Sequence, residues 1–412
     1  MIEWSEQHLM IQHTMRRFVE SEIVPHLEEL EHGDTPPYDI LRKMFSTFGM
    51  DELASSRFRK QIEREKRGQG KTEEPDHQEP GTGRGDAVAM QLIPIVELCR
   101  YCPGMVTAMG VSMGLTAAAI MSRGTTRQKE RWALDLLTLE KIGSWALTEP
   151  GSGSDAFGSM KSTARRGKDG GYVLNGTKTF ITNGPYADTI VFICKLDEQG
   201  VDPAKRKVLT FVLDRGMPGL TQSAPMRKMG LHSSPTGELF LQDVEVEADR
   251  LLGENEESSA RSGAKGTFSM ERSGVAAMSL GIVERCLELS VQYARERIQF
   301  GKPIGEFQLI QDKLARMEVA RMNLQNLIFR TIEMAECGRS FSLAESSAMK
   351  LYSARATMEV ALEAVQVHGG NGYMAEYRVE QLARDAKALQ IYAGTDEIQI
   401  SAIARDLLGR AP

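Results

Sequence analysis

Residues 171–184 read GYVLNGTKTFITNG, and the texture of that run decides how the rest of the chain is divided. Apolar or β-branched residues alternate with polar ones on both sides of Asn175-Gly176, the two-residue period of strands. An Asn-Gly pair between two such runs predicts a hairpin turn, because both turn positions need positive φ. Working outward, 189–196, 207–213 and 237–246 repeat the pattern of short β-type runs separated by turn residues. Residues 142–253 are therefore expected to form one compact β-domain, a barrel or a sandwich.

Both flanks are helical. Ile11, Met15 and Phe18, then Ile40, Leu41, Met44, Phe45 and Phe48, recur at spacings that keep apolar groups on one face, which places a helical domain over residues 1–141. On the other side Ile310, Leu314, Met317, Ala320, Leu324, Leu327 and Ile328 step by threes and fours, and 343–367 and 379–408 behave likewise. Four long helices with short joints predict a bundle over 254–412. The fold class is α+β and multidomain: an N-terminal helical domain, a central β-barrel or sandwich domain, and a C-terminal four-helix bundle. Within the first domain, residues 55–86 have no large apolar side chain after Ile62, mix both charges densely and end in Pro and Gly. They are expected to form an exposed helix running into a mobile insertion.

Composition narrows the function. The 412 residues carry 50 basic against 56 acidic side chains, a net charge of −6, with no basic stripe for a nucleic-acid backbone. Five cysteines do not make a pairing framework, and Glu3, Glu6, Arg16 and Arg17 interrupt any secretory apolar run after Met1. The compartment reads as reducing and cytoplasmic. Cys99 and Cys102 form one C-x-x-C with no second pair or nearby histidine, so no metal is assigned. The uncharged run 101–122 has bilayer length but is rich in small residues and contains Pro103; a buried helix or helix pair is expected rather than a membrane span.

The chemistry-bearing signal begins at WALTEPGSGSD, residues 145–155. Backbone N–H groups freed by small residues, with the Thr148, Ser152 and Ser154 hydroxyls, suit a polar, partly anionic ligand held against the main chain. An ordinary tight turn is the plainer alternative. Four further motifs follow in order: GTKTFITNG at 176–184, RIQFGKPIGEFQ at 297–308, QVHGGNGY at 366–373 and RDAKALQIYAGTDEIQ at 384–399. With these five motifs the chain strongly resembles the acyl-CoA dehydrogenase family of flavoproteins over nearly its whole length, residues 55–86 standing as an insertion.

The resemblance implies FAD bound between the β-domain and the bundle. Trp145, Leu147 and Thr148 match the segment that meets the flavin ring, Phe180, Ile181 and Thr182 a second flavin-contacting strand, and Ser154 the hydroxyl that meets CoA. Arg297, Gln308, Gln366, Val367, His368, Gly369 and Gly370 match positions that reach the FAD of a neighbouring subunit, which implies a homotetramer built as a dimer of dimers. Thr395, Asp396 and Glu397 match the loop near the FAD phosphates and adenosine. The implied reaction is α,β-dehydrogenation of an acyl-CoA, with an electron-transfer flavoprotein as acceptor.

In one place the chain departs from the family's commonest pattern. Most members carry a glutamate base where this chain has Ala393, between Tyr392 and Gly394. A methyl group takes no proton, although the Ala393 backbone N–H still offers the family's donor to the thioester carbonyl. In the isovaleryl-CoA and long-chain branches the base stands instead on the first bundle helix, immediately before an arginine, and Glu271-Arg272 occupies that place here. Glu271 is thus the expected base, and Arg272, Tyr392 and Gly394 are expected at the substrate. That base position points to a branched or longer acyl chain. The loss of the loop glutamate leaves a flavin monooxygenase or an acyl-CoA desulfinase on the same fold as the alternative, and a silent FAD-binding structural protein as a third reading. Glu149 and Asp155 are expected to brace the Gly/Ser loop, Asp385 to pair with Arg384 or Lys387, His368 to have a structural or cofactor-packing role rather than an acid/base one, and Lys228 and His232 to lie at the domain surface.

Overall fold

The structure, a computed structural model, describes residues 3–68, 83–167, 169–256 and 260–409, apart from the side chains of 260–271 and 273. The chain begins with α1 (Glu6–Phe18), α2 (Leu27–His32), α3 (Tyr38–Thr47), α4 (Met50–Lys66) and α5 (Arg84–Cys99). Next come α6 (Pro103–Gly110), a π-helical stretch at Val111–Ala117, α7 (Ala118–Arg123) and α8 (Thr126–Leu137). Local chemistry sets several starts. Ser5 caps α1, and Thr125 and Gln128 form a reciprocal capping box on α8. Pro103–Arg123 is long and apolar enough to cross a membrane by composition alone, but half of its apolar window is buried.

The expectation of a mobile insertion at 55–86 needs correction at both ends. Residues 55–66 complete α4, and Phe58 and Ile62 are buried with Ile120, Trp132 and Leu136. Lys129 Nζ donates to Glu65 at 2.7 Å and Lys66 to Glu130 at 2.6 Å, so α4 is laced to α8. Residues 84–86 open α5, and 69–82 lie outside the described residues. Two apolar side chains four residues apart suffice to dock a helix whose other faces are charged. Phe58→Ala is accordingly expected to cost about 3 kcal/mol or more by cavity formation, read as a lower midpoint in urea unfolding.

Seven strands form the central sheet: β1 (Gly143–Ala146), β2 (Thr163–Arg166), β3 (Tyr172–Thr182), β4 (Thr189–Leu196), β5 (Val208–Asp214), β6 (Leu220–Gln222) and β7 (Thr236–Val246). Their order is β1-β4-β2-β3-β7-β6, with β5 also paired to β4. β4 is buried along its whole length. Its alternate residues face two ways, Ile190, Phe192 and Cys194 into the sheet's own core and Val191 toward Trp132 of α8, which is why it reads as an unbroken apolar run.

The predicted hairpin at Asn175-Gly176 does not form. β3 runs straight through both residues and bulges against β7, where the register shifts between Leu174 and Gly176. Asn175 and Asp243 exchange two hydrogen bonds of 2.9 Å across the bulge. Gly176 has φ 155°, and a Cβ there would stand 2.1 Å from Ser162 Oγ. The glycine is required by the close approach of the Ser162 side chain and not by a turn.

The bundle comprises α9 (Ala260–Glu296), α10 (Gln308–Glu336) and α11 (Leu343–His368), and its fourth place is shared by α12 (Val379–Ala388) and α13 (Asp396–Gly409). α9 packs against α5, α10 and α11. One apolar cluster runs from Met15, Leu41 and Val96 through Val283 to Leu324, Ile328 and Val360, and thus through both helical regions. The sheet is pinned to the bundle by Asp385, which is fully buried and accepts the Leu231 N–H at 2.5 Å. The expected local pairing of Asp385 is therefore wrong, since Arg384 turns to Glu380 at 2.6 Å. Lys228 is not a surface group either: its Nζ reaches inward to Leu231 O at 2.8 Å and Thr236 Oγ1 at 3.0 Å.

Candidate active site

The end of β1 is tied to β3 by a buried charge that the sequence reading missed. Lys178 has no exposed surface, and its Nζ donates to Leu147 O at 3.0 Å and to Glu149 Oε1 at 2.8 Å. The Glu149 carboxylate also accepts the N–H groups of Lys161 (2.6 Å) and Ser162 (3.0 Å), while Thr179 N–H donates to Thr148 O at 2.9 Å. Three successive residues, 147 to 149, are thereby fixed against β3. Burial alone would raise the Glu149 carboxyl, but attraction and hydrogen bonding from Lys178, with the two N–H groups, hold it below its ordinary value. Burial pulls Lys178 down while Glu149 pushes it back.

The Gly/Ser loop is braced as expected. Ser152 Oγ donates to Asp155 O at 2.7 Å, and the Asp155 carboxylate takes Gly158 N–H at 3.1 Å and Ser159 Oγ at 2.6 Å. Thr148 is left half-buried and Ser154 exposed. Opposite them the strand bulges a second time, between Lys178 and Ile181. This throws Phe180 into a left-handed conformation, φ 57°, with its ring 68% exposed. Ile181 points the other way, into the sheet core, so only its backbone faces out. An aromatic ring held in the open by a strained residue, next along the strand from Thr179, which bonds Thr148 O, suits a planar ring system.

Asn183 was also missed. Its side chain donates to Ala108 O and Gly143 O, both at 2.9 Å, and accepts from Tyr38 OH at 3.0 Å. One amide thus fastens α3, α6, β1 and β3 together under the site.

The second group lies where α9 meets the loop between α12 and α13. Arg272 is buried, its NH1 donates to Ser347 Oγ at 3.0 Å, and its NH2 lies 3.5 Å from where a Gly394 Cβ would stand. Tyr392 OH donates to Met278 Sδ at 3.2 Å. Arg272, Tyr392 and Gly394 are therefore brought together. Glu271 precedes Met278 by two helical turns on α9; its side chain lies outside the described residues. Ala393 and Gly394 take φ values of 54° and 87° in succession. The Asp396 carboxylate is turned inward to Arg355 Nε at 3.0 Å, Thr395 Oγ1 accepts the Ile398 N–H at 3.4 Å, and Glu397 is exposed. Of these three, Glu397 is the one left facing outward.

The third group sits at the far end of α11. Lys350, beside Gly394, and Gln366 are 16 residues apart on that helix, roughly 24 Å along its axis. Gln366, Gly369 and Gly370 are exposed there, as are Arg297 and Gln308. Arg297 leads into the two-residue turn Phe300-Gly301, with φ 51° and 78°, which closes the pairing of β8 (Ile298–Gln299) and β9 (Lys302–Pro303). Val367 and His368 instead face inward. The His368 ring stacks on Tyr293 at 4.4 Å, and its Nδ1 bonds Ala364 O at 2.8 Å. Burial holds its pKa below the ordinary value, partly offset by that carbonyl. Its ring thus packs inside the chain, against Tyr293.

Exposed cationic and amide side chains beside open glycine backbone suit a phosphate-bearing ligand, and the Phe180 face suits a flat ring; together they fit FAD. Three family models match in chain order: acyl-CoA dehydrogenase N-terminal domain at 58–140, middle domain at 144–244 and C-terminal domain at 262–408. A short-chain-specific acyl-CoA dehydrogenase of Megasphaera elsdenii is 38% identical over 324 residues, 79% of this chain and 83% of its own. Mitochondrial isovaleryl-CoA dehydrogenase of Oryza sativa subsp. japonica is 31% identical over 401 residues, 96% of this chain and 89% of its own. A glutaryl-CoA dehydrogenase from Mycobacterium smegmatis, solved in complex with FADH2, is similar with a TM-score of 0.79 at 26% identity, covering 99% of this chain and 96% of that one.

Proposed function

The chain belongs to the acyl-CoA dehydrogenase family of FAD-dependent oxidoreductases, and from that premise we propose that it converts a branched or longer acyl-CoA to the trans-2-enoyl-CoA with Glu271 as base. The observation that carries this reading is the Arg272 guanidinium beside Gly394. It sets the start of α9, with its glutamate, against the loop that has alanine in place of an acid. The loop has no proton acceptor of its own, and the neighbouring helix offers one.

Each residue has a task. Glu271 takes the α-proton, and the electron pair left on Cα forms the new double bond as the β-hydrogen leaves. Bound FAD, held at its ring by Trp145, Leu147, Thr148, Phe180, Thr182 and the Ile181 backbone, supplies the acceptor for that hydrogen and its electron pair. The Ala393 N–H donates to the thioester oxygen, where enolate-like charge builds as the proton leaves. Ser154 meets the CoA moiety.

Two further features belong to this reading. The groups at the two ends of α11 are too far apart to serve one flavin ring, which supports a dimer of dimers in which Arg297, Gln308 and the 366–370 turn complete the neighbour's FAD site. Electrons leave the protein to an electron-transfer flavoprotein. The test is an anaerobic screen of straight, branched and aromatic acyl-CoA thioesters against the yellow holoprotein. Rapid bleaching of the flavin by a branched or longer acyl-CoA is expected. No bleaching by any thioester would remove the dehydrogenase reading, and preference for a short straight chain would remove the substrate class.

A further inference from the structure

The loop between α12 and α13 is held from beneath by two side chains, Lys350 of α11 and Gln399 of α13, neither with any exposed surface. Gln399 Nε2 donates to Ala393 O at 3.0 Å and to Gly394 O at 2.8 Å, and Lys350 Nζ donates to Gly394 O at 2.8 Å. Two successive carbonyls are thus drawn toward the bundle interior. Carbonyl and N–H point opposite ways in a trans peptide, so the N–H groups of Gly394 and Thr395 are turned outward; the Ala393 N–H belongs to the preceding peptide, and the clamp bears on it by holding Ala393 at φ 54°. An alanine does not hold a left-handed backbone unaided, and the Ala393 methyl has no polar contact with which to anchor the loop. At Gly394 the φ of 87° favours glycine, and a Cβ there would stand 2.8 Å from Gln399 Nε2.

We propose that Lys350 and Gln399 are positioning residues for the reaction: by gripping the Ala393 and Gly394 carbonyls they lock the loop in the conformation that aims the Ala393 N–H at the thioester oxygen. The inference rests on the assignment of that N–H above. The Lys350 ammonium lies 3.9 Å from Asp396 Oδ1, which offsets part of the cost of burying it. Its 2.8 Å bond to Gly394 O puts that paired, buried donor on the loop backbone as well. The charge-assisted bond to Gly394 O is also the strong kind, suited to holding a peptide while charge builds nearby.

The experiment uses FAD-loaded protein with 3-thiabutyryl-CoA labelled with ¹³C at the carbonyl. Sulfur replaces the β-carbon, so the probe loses no hydride but still exchanges α-protons. Two quantities are read: the carbonyl stretch of the bound probe by difference infrared, and α-proton exchange with D₂O by NMR. In Lys350→Met and in Gln399→Leu the stretch should move back toward the free thioester, and exchange should slow about 10- to 100-fold. Probe affinity should change less than about 3-fold. The double variant should fall short of the product of the singles, because both act through one loop. If Lys350→Met does not hold FAD, Gln399→Met, which keeps the length and removes the donor, decides the matter. Folded variants with wild-type stretch and exchange would overturn the clamp alone. A wild-type protein that leaves the stretch at its free value would overturn the role of the Ala393 N–H, and the clamp with it.

Discussion

Glu271→Gln is expected to bind acyl-CoA but to reduce its flavin at least about 10²-fold and up to about 10⁴-fold more slowly than wild type, the range for loss of a general base. Glutamine keeps the shape and hydrogen bonding of the side chain and removes its capacity to accept the proton. Stopped-flow absorbance under anaerobic conditions, with affinity measured separately, distinguishes slowed chemistry from lost binding. Adding Ala393→Glu in that background places a carboxylate on the loop where most of the family carries it. Activity should return in part only, because Ala393 is left-handed and its surroundings are filled by Arg272, Gln399 and Tyr392. A Glu271→Gln protein that reduces its flavin at the wild-type rate would return the question to chemistry without α-proton abstraction.

The second large effect is on stability. Lys178→Met leaves the Glu149 carboxylate buried with its ammonium partner gone, at an expected cost of about 3–5 kcal/mol in urea unfolding at neutral pH. Glu149→Gln added to it should recover most of the loss, because the uncompensated charge and not the missing lysine is the expensive term. The pH dependence has a defined sign. In the wild type the Glu149 pKa lies below its unfolded value, so its stabilisation is present above the ordinary carboxylate range and lost as pH falls through the folded value. In Lys178→Met burial is opposed only by the Lys161 and Ser162 N–H groups and the carboxyl rises relative to wild type, so the deficit should shrink in acid. A deficit that does not change with pH would show that Lys178 acts by packing alone.

The order of helices, sheet and bundle was legible because it is written in local periodicity. Buried β4 reads as an unbroken apolar run and α10 as steps of three and four, whatever surrounds them. The Asn175-Gly176 hairpin was misread because a type I′ turn and a glycine bulge leave similar traces in sequence. What separates them is Ser162, 14 residues away, pressing on Gly176, and no local window contains that contact. The start of the 55–86 stretch was misjudged in the same way, since Phe58 and Ile62 of an otherwise exposed helix find their partners on α7 and α8.

Site legibility followed the same line. Arg272, Tyr392 and Gly394 do meet, and the Gly/Ser loop is braced by Glu149 and Asp155. Lys178, Asn183, Lys350 and Gln399 went unread because a single polar residue in an apolar stretch looks like any solvated one until the fold closes over it. Ile181, Val367 and His368 sit in motifs that mark the site, yet their side chains serve the core. A motif gives the chain position of a site and leaves open which atoms face it.

One measurement bears most directly on the account: a single anaerobic turnover of wild-type protein with the acyl-CoA that bleaches it fastest, deuterated at Cα and Cβ. The account predicts one equivalent of reduced flavin, a trans-2-enoyl-CoA product, one Cα deuteron released to solvent through Glu271, and a rate slowed by deuterium at either carbon. A product cleaved at the acyl chain, a saturated acyl-CoA recovered with the flavin still oxidised, or flavin reduced with both Cα deuterons retained, would contradict it.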